Sequence, residues 1–420
     1  MPSASATDLA VLRIATALLL LLAADVWGGP ALAAELASWP PSALTPPLGT
    51  RGLFSALPPA AATAHAARAG VLLGASLGLL GTWAQTGFAL AALCAGYLLA
   101  LPSLAGAPVH NHHLVWMSAL LAASPCADAL TVRGRGRGPA RHGSAYTLPV
   151  RAAWVLIGAV FFFPGLWKLL VSGTDWIFGD NLRNHLYWKW TQSWDHPRLR
   201  VDRLPGLTQA AALGVVAFEL AFGVLVWFGR TRTAAVAAAL AFHALTAAVM
   251  DVRFSTLWPL YVAFFAWDRR PAEGLRAARL GGWAVAATLV VGAVAAGAAG
   301  EVRSWPFACY PTFAETVGET MPVLAVTVVR GGQEIPVPLA AMVDPEPVVW
   351  ARLWRLAGIG GPVDPAALEG FWAEVRQRPG MGTRLVGAEE VRLYRAEMSV
   401  VPEHWGEPPR RLRLLHAVSP

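Results

Sequence analysis

Phe161-Phe162-Phe163-Pro164-Gly165-Leu166-Trp167-Lys168-Leu169-Leu170-Val171-Ser172-Gly173-Thr174-Asp175-Trp176 closes an apolar run that begins near residue 148, and no charged residue lies between Arg151 and Lys168. A helix over 148–171 is long enough to cross about 30 Å of hydrocarbon. That makes this stretch a membrane span with a lysine near one end. The chain holds only two lysines, Lys168 and Lys189, among 33 cationic residues, so nearly all its positive charge is arginine. Arginine stays protonated, whereas a desolvated lysine releases its proton and serves as a base. Two roles are open to Lys168: a snorkelling cation at the end of a span, or a functional base.

The whole composition agrees with a membrane fold. Of 420 residues 55% are hydrophobic and 14% charged, and mean hydropathy is +0.48, far above a soluble domain. The net charge of +7 falls mostly in short loops, where it carries topology, and no basic patch interleaved with aromatics suggests nucleic acid. Cys94, Cys126 and Cys309 have neither metal-ligand spacing nor the pattern of a disulfide framework.

Outward from residue 161, the hydropathy predicts nine spans, at about residues 9–27, 67–83, 86–101, 110–129, 148–171, 207–228, 234–250, 255–267 and 281–299. The first run is the one that a cleaved signal would imitate, with Ala31-Leu32-Ala33 as its cleavage site; Asp8, and the lack of a cation before Arg13, favour a retained span. Residues 28–65 are broken by prolines, among them Pro40, Pro41, Pro46, Pro47, Pro58 and Pro59, and read as a loop. The Gly- and Ala-rich second and third spans suit close helix packing in lipid. Residues 172–204 mix balanced charges with Trp176, Trp188, Trp190 and Trp194, as expected of segments in the headgroup layer.

Cations in alternate short loops set the orientation. Arg133, Arg135, Arg137 and Arg141, then Arg230 and Arg232, then Arg269, Arg270, Arg276 and Arg279 fall on one side, against Arg253 alone in the short loops opposite. The positive-inside rule places the N-terminus in the cytoplasm and the C-terminal region outside. The expected architecture is an all-α polytopic membrane domain of about nine helices over 1–300, with a small extramembrane α+β region over 301–420. In that region 321–330 and 333–339 flank Gly331-Gly332 as a β-hairpin, 366–378 form a helix, and 384–395 a strand or short helix.

With this orientation Lys168, His112 and His113 and His243 all fall toward the outer side, and Asp251 lies at an outer span end. Glu219 lies mid-span, where a carboxylate implies function or a buried partner. A helix-locking hydrogen bond is the alternative for His243, and a lock between spans for Glu219.

Taken together, Gly165-Leu166-Trp167-Lys168-Leu169 and Asp175-Trp176-Ile177-Phe178-Gly179, with Asn111-His112 upstream and Glu219-Leu220, Gly223 and Phe242-His243 downstream, resemble the vitamin K-dependent γ-carboxylase family. They resemble also its bacterial relatives, the horizontally transferred transmembrane (HTTM) domain proteins. The resemblance runs in order over residues 5–300, and Ser304 to Phe313 looks like the segment after the last span in the bacterial relatives. It implies Lys168 as the base that deprotonates a reduced, vitamin K-like quinone, with CO2 and O2 as co-substrates, and His112 as the histidine assisting carboxylation. His243, Glu219, Asp175 and Trp176 would then form the substrate or quinone site, with no metal. Two features depart from the family. Thr246 stands where the carboxylase has Asn, and a tail of about 120 residues is too short for the animal enzyme's large luminal part. The implied partners are the lipid bilayer of the plasma membrane, a quinone and an exported protein substrate. The alternative from another class is a non-enzymatic carrier or assembly factor for exported proteins or lipids.

Overall fold

The structure, a computed structural model, describes residues 3–23, 29–39, 41, 44, 46–107, 110–134, 141–193, 199–309, 313–343, 347–359 and 362–420. The centre of the Gly-spaced arginine loop (135–140), the end of the first apolar run (24–28), Pro40, and Trp194 with its neighbours lie outside the described residues.

Among the described residues six helices are long and apolar enough to cross a membrane: α4 (Ala61–Leu80), α5 (Ala84–Leu104), α7 (Ser144–Ser172), α10 (Pro205–Leu225), α11 (Arg232–Met250) and α12 (Leu280–Ala298). Helices α5 and α7 are the central ones, with 61% and 50% of their apolar windows buried against 22–28% for the others. Leu73, Leu93, Leu170, Leu245 and Val291 stay exposed on the bundle's flank, a surface suited to lipid and costly in water. The expected close packing of the small-residue spans is present: a Cβ on Gly74 would collide with the Gly87 carbonyl, so only glycine admits α5 this close to α4.

The remaining predicted spans take other forms. Helix α1 (Ala6–Ala23) is an 18-residue helix, packed along α4 with Leu9, Leu12 and Leu20 fully buried. It leads into α2 (Gly29–Ser38) and α3 (Arg51–Ala56). The fourth predicted span yields α6 (His112–Ala122), only 11 residues long, followed by turns through Leu130, which has φ +53°. Buried Arg13 reaches across from α1 and donates to the carbonyls of Cys126 at 2.9 Å, Ala129 at 3.0 Å and Leu130 at 2.5 Å. That supply of donors lets non-helical backbone persist within an apolar bundle. The eighth predicted span holds a seven-residue 3₁₀ helix, Trp258–Phe264; Pro259 lacks an N–H and suits only the first turn.

Contacts divide the bundle into two ends. At one, Ser5 bridges His142, β1 (Arg141–His142) pairs in parallel with β2 (Gly274–Leu275), and Asp8 Oδ1 accepts from the Trp267 N–H at 2.6 Å. At the other lie α8 (Asp175–Phe178), α9 (Asn181–Ser193) and the C-terminal region. Leu48 bridges Ser304 there, and Trp190 Nε1 donates to the Val249 carbonyl at 2.6 Å.

The C-terminal region is a four-stranded antiparallel sheet in the order β4-β3-β5-β6, built from β3 (Thr320–Arg330), β4 (Gln333–Val337), β5 (Glu390–Ser399) and β6 (Arg410–Val418). Between β4 and β5 run α13 (Leu339–Met342), α14 (Pro347–Leu356), α15 (Pro365–Val375) and α16 (Met381–Leu385). The hairpin turns at Gly331 and Gly332, both at positive φ (57° and 75°), as a two-residue turn between twisted strands requires. Strand β3 is buried on nearly every residue. The core it joins also takes Leu186, Tyr187 and Trp190 from α9, so the sheet is seated on that helix.

Candidate functional site

Lys168 sits in the last turns of α7, and its side chain turns inward, with 4% of its surface exposed. Its ammonium donates to both oxygens of Glu219, at 2.8 and 2.7 Å; the Glu219 side chain is 7% exposed. This geometry argues against snorkelling, which would carry the charge outward to the interface. The pair forms because α7 and α10 approach closely. A Cβ on Gly165 would lie 2.8 Å from Glu219 Cβ, and one on Gly158 3.2 Å from Gly223 Cα. Glycines two turns apart on α7 thus bring the α10 backbone in until Glu219 meets Lys168 one turn further along.

Trp176 lies beside the pair. Its ring centre lies 5.1 Å from Lys168 Nζ, within cation–π range, and its Nε1 donates to the Phe313 carbonyl at 2.7 Å. Ser172 Oγ holds the next carbonyl, Ala314, at 2.6 Å. Phe313 adopts φ +47°, a left-handed conformation unfavourable for a bulky residue and therefore maintained by its surroundings.

The other expected site residues have surroundings of their own. His243 Nε2 pairs with the Tyr261 hydroxyl at 2.6 Å, in a layer of rings with Phe161, Phe242 and Phe254. Phe161 precedes Lys168 by two turns of α7, about 10 Å along the axis, so His243 belongs to a deeper layer. Buried His112 lies against Trp116, ring centres 4.5 Å apart, and Trp116 Nε1 donates to the Pro306 carbonyl at 2.9 Å. Next to it, His113 Nε2 meets the Thr256 carbonyl at 3.1 Å, while Asn111 Oδ1 accepts from Thr256 Oγ1 at 2.7 Å. Asp175 is exposed in the first turn of α8; among the described residues its carboxylate makes no hydrogen bond or ion pair to Lys168. Lys168 is therefore brought together with Glu219 and Trp176, while His243 pairs with Tyr261 and His112 lies against Trp116.

Three further groups of this region were not expected there from the sequence. The Cys309 thiol feels the Lys168 charge, but burial, the larger effect, pushes it up to about 12, which removes it as a nucleophile at neutral pH. His185 on α9 is buried and is pushed down to about 4, chiefly by burial and further by the charges of Lys168 and Lys189. Lys189 is pushed down to about 8 by burial. The available signal was the i, i+4 spacing of Asn181, His185 and Lys189, which places all three on one face of a helix.

A cavity of about 130 Å³ opens at the opposite end of the bundle, lined in part by Gln85, Ser124, Asp128 and Arg276. Asp128 there accepts from the Tyr146 hydroxyl at 2.6 Å and pairs with Arg276. It borders Ala145 and Leu148, about 30 Å along α7 from Lys168, and plays no part in the lysine's surroundings. Among the described residues no three His, Cys, Asp or Glu gather as metal ligands. Comparison with protein-family models, with curated proteins and with solved structures found no match.

Proposed function

We propose that the chain is a nine-crossing plasma-membrane protein of the HTTM class, with quinol-dependent carboxylase-like or oxidative chemistry near the outer end of its bundle and Lys168 as base. The observation that carries this reading is the Lys168–Glu219 pair, sealed from water beneath Trp176. An ion pair in low dielectric is costly to hold. Passing one proton from Lys168 Nζ to Glu219 yields an amine and a carboxylic acid at no net change of charge. The amine lone pair is then the base.

The residues fit a hydroquinone on two counts: flat aromatic faces at Trp176 and in the Phe161 layer, and one proton acceptor shielded from water. A reduced quinone bound there supplies the electron pair that O2 takes up. Lys168 would accept the hydroxyl proton, Glu219 would hold the proton displaced from Lys168, and Trp176 with Phe313 would exclude water. His112, outside the immediate pair, would act on the carboxylation side.

Nine crossings are supported by where the chain is tied. Asp8 and Trp267 meet at one end, and Thr256 meets Asn111 well removed from it, so 255–267 and α6 with its turns run between the ends without long helices. The orientation is supported by Arg141, Arg269, Arg270, Arg276 and Arg279 gathering at the end that holds the N-terminus.

A second reading, a non-enzymatic carrier or assembly factor in which the pair only locks α7 to α10, is favoured by the glycine-lined crossing of those helices. O2 uptake by the purified protein in lipid nanodiscs, supplied with a reduced 1,4-naphthoquinone, separates the two. Lys168→Arg keeps the charge and removes the base. A loss of about 100-fold or more is expected; unchanged uptake in Lys168→Arg, or none in the unaltered protein, would favour the lock.

A further inference from the structure

The chain's only two lysines both bear on one histidine. His185 and Lys189 are one turn apart on α9, and the charges of Lys168 and Lys189 both act on His185. Phe313 joins the groups. Its carbonyl is held by Trp176, the residue over Lys168. Its ring meets His185 edge-on at 5.3 Å and lies 5.2 Å from Lys189 Nζ. Phe313 keeps its unfavourable φ of +47° in order to be there.

The hydrogen bonds fix the chemistry of the imidazole. His185 Nδ1 lies 2.9 Å from the Asn181 carbonyl; a carbonyl only accepts, so Nδ1 carries the proton and Nε2 keeps a lone pair. Lys189 Nζ donates to Gln192 Oε1 at 3.1 Å and is half-buried, so the series runs from a sealed pair toward the surface.

We propose that His185 and Lys189 form the outer half of the Lys168 site, a relay in which His185 Nε2 carries a proton between the Lys168–Glu219 pair and Lys189. The proposal rests on the reading of Lys168 as a group that gains and loses protons. In the outward step a Lys168 N–H bond would break and leave its electron pair on Nζ, one bridging water would take up that proton and give up another, and the Nε2 lone pair would form the new N–H bond. That bond then breaks toward the lone pair of neutral Lys189, which releases the proton to water. Only protons move, so neither oxidant nor reductant is needed.

The groups are matched to these roles. His185 lies low, at about 4, by burial first and by both lysine charges as well, so at pH 7 only about one molecule in a thousand carries the imidazolium. It is a transient carrier and not a store. Lys189, at about 8, is neutral in about one molecule in ten at that pH, enough to accept. Glu219 on α10 and the Cys309 thiol face Lys168 from the other elements. Glu219 is the proton's alternative holder; the thiol, pushed up to about 12, stays protonated and outside the path.

Two lysines make the test direct. In full-length protein labelled at lysine 15Nζ and held in nanodiscs, two side-chain resonances are present, and Lys189→Arg assigns them. Exchange of the Lys168 Nζ protons with solvent is then measured. His185→Gln keeps a polar side chain near the Asn181 carbonyl without a group that takes up a proton at neutral pH, and Lys189→Arg keeps the charge without a releasable proton. Each is expected to slow Lys168 exchange at least about tenfold. In His185→Gln the retained Lys189 resonance reports folding; if that variant does not fold, Lys189→Arg decides alone. Unchanged Lys168 exchange in either folded variant overturns the relay. Exchange is read without turnover, so a failed relay is distinguishable from a failed assignment of quinol chemistry.

Discussion

Replacing Glu219 by Gln tests whether the site is built as described. The carboxylate is 7% exposed and bonded through both oxygens to an ammonium 4% exposed, so solvent screening is slight. At 2.7 Å and an effective dielectric of about 20, the Coulomb attraction is about 6 kcal/mol. Desolvation offsets much of this, and the quantity that survives in experiment is the cost of stranding one partner, about 3–5 kcal/mol. Glu219→Gln leaves the Lys168 ammonium buried with a neutral amide, and Lys168→Met strands the carboxylate; each is expected to lose about that much. The double variant Lys168→Met/Glu219→Leu removes both charges and is expected to recover most of the stability, because a buried pair replaced by apolar residues of similar size is often neutral. Unfolding free energies from SDS titration of bicelle-reconstituted protein supply the four corners of the cycle. A Glu219→Gln variant within about 0.5 kcal/mol of the unaltered protein, or a double variant that loses the sum of the two singles, would refute the sealed pair. The double variant has a second use: folded but inactive in the quinol assay, it would separate catalysis from helix locking.

Two further predictions follow from other contacts. Gly165→Ala puts a Cβ 2.8 Å from that of Glu219 and 3.3 Å from Leu220 Cγ, and is expected to cost about 1–3 kcal/mol by overpacking; the same titration checks it, and a neutral effect would mean that α10 can shift freely. Asp268 is held well below the usual carboxylate range, first by hydrogen bonds from the Arg270 guanidinium and with help from Thr7. A depressed carboxyl contributes stability that is fully present above its unfolded value of about 3.9 and is lost as pH falls through and below it. The thermal midpoint is therefore expected to drop from pH 5 to pH 3 by less in Asp268→Asn than in the unaltered protein; equal drops would assign the acid sensitivity elsewhere.

Local chemistry was legible in the sequence wherever the cause was local. Gly331-Gly332 announced its hairpin because two left-handed residues between strand-forming runs have few other uses. The apolar periods of α4, α5, α7, α10, α11 and α12 announced membrane helices for the same reason. Lys168 and Glu219 each stood out as charges in apolar runs, but their bond joins residues 51 apart, and hydropathy holds nothing about which charge faces which. Apolar content likewise overstated the helices at 110–129 and 255–267. There Pro125 and Pro259 interrupt the run, and the backbone is satisfied from outside, by Arg13 and by the Trp154 indole on the Ala263 carbonyl. The role of α9 was the least readable. Its Leu186, Tyr187 and Trp190 serve the C-terminal sheet while His185 feels the Lys168 charge, so one short helix answers to two neighbours distant in sequence.

The ties near the N-terminus bear on how such a chain is assembled. Thr7 Oγ1 donates to Asp268 Oδ2 at 3.1 Å across 261 residues, and Asp8 holds the Trp267 amide. A ribosome delivers residue 8 long before residue 267. Until then Asp8 lacks its Trp267 partner and α1 lacks the 3₁₀ segment against which it packs. A nascent chain stopped before residue 267 can therefore hold α1 only by its side against α4 and by the Arg13 bonds to residues 126–130, with the end that carries Thr7 and Asp8 still untied.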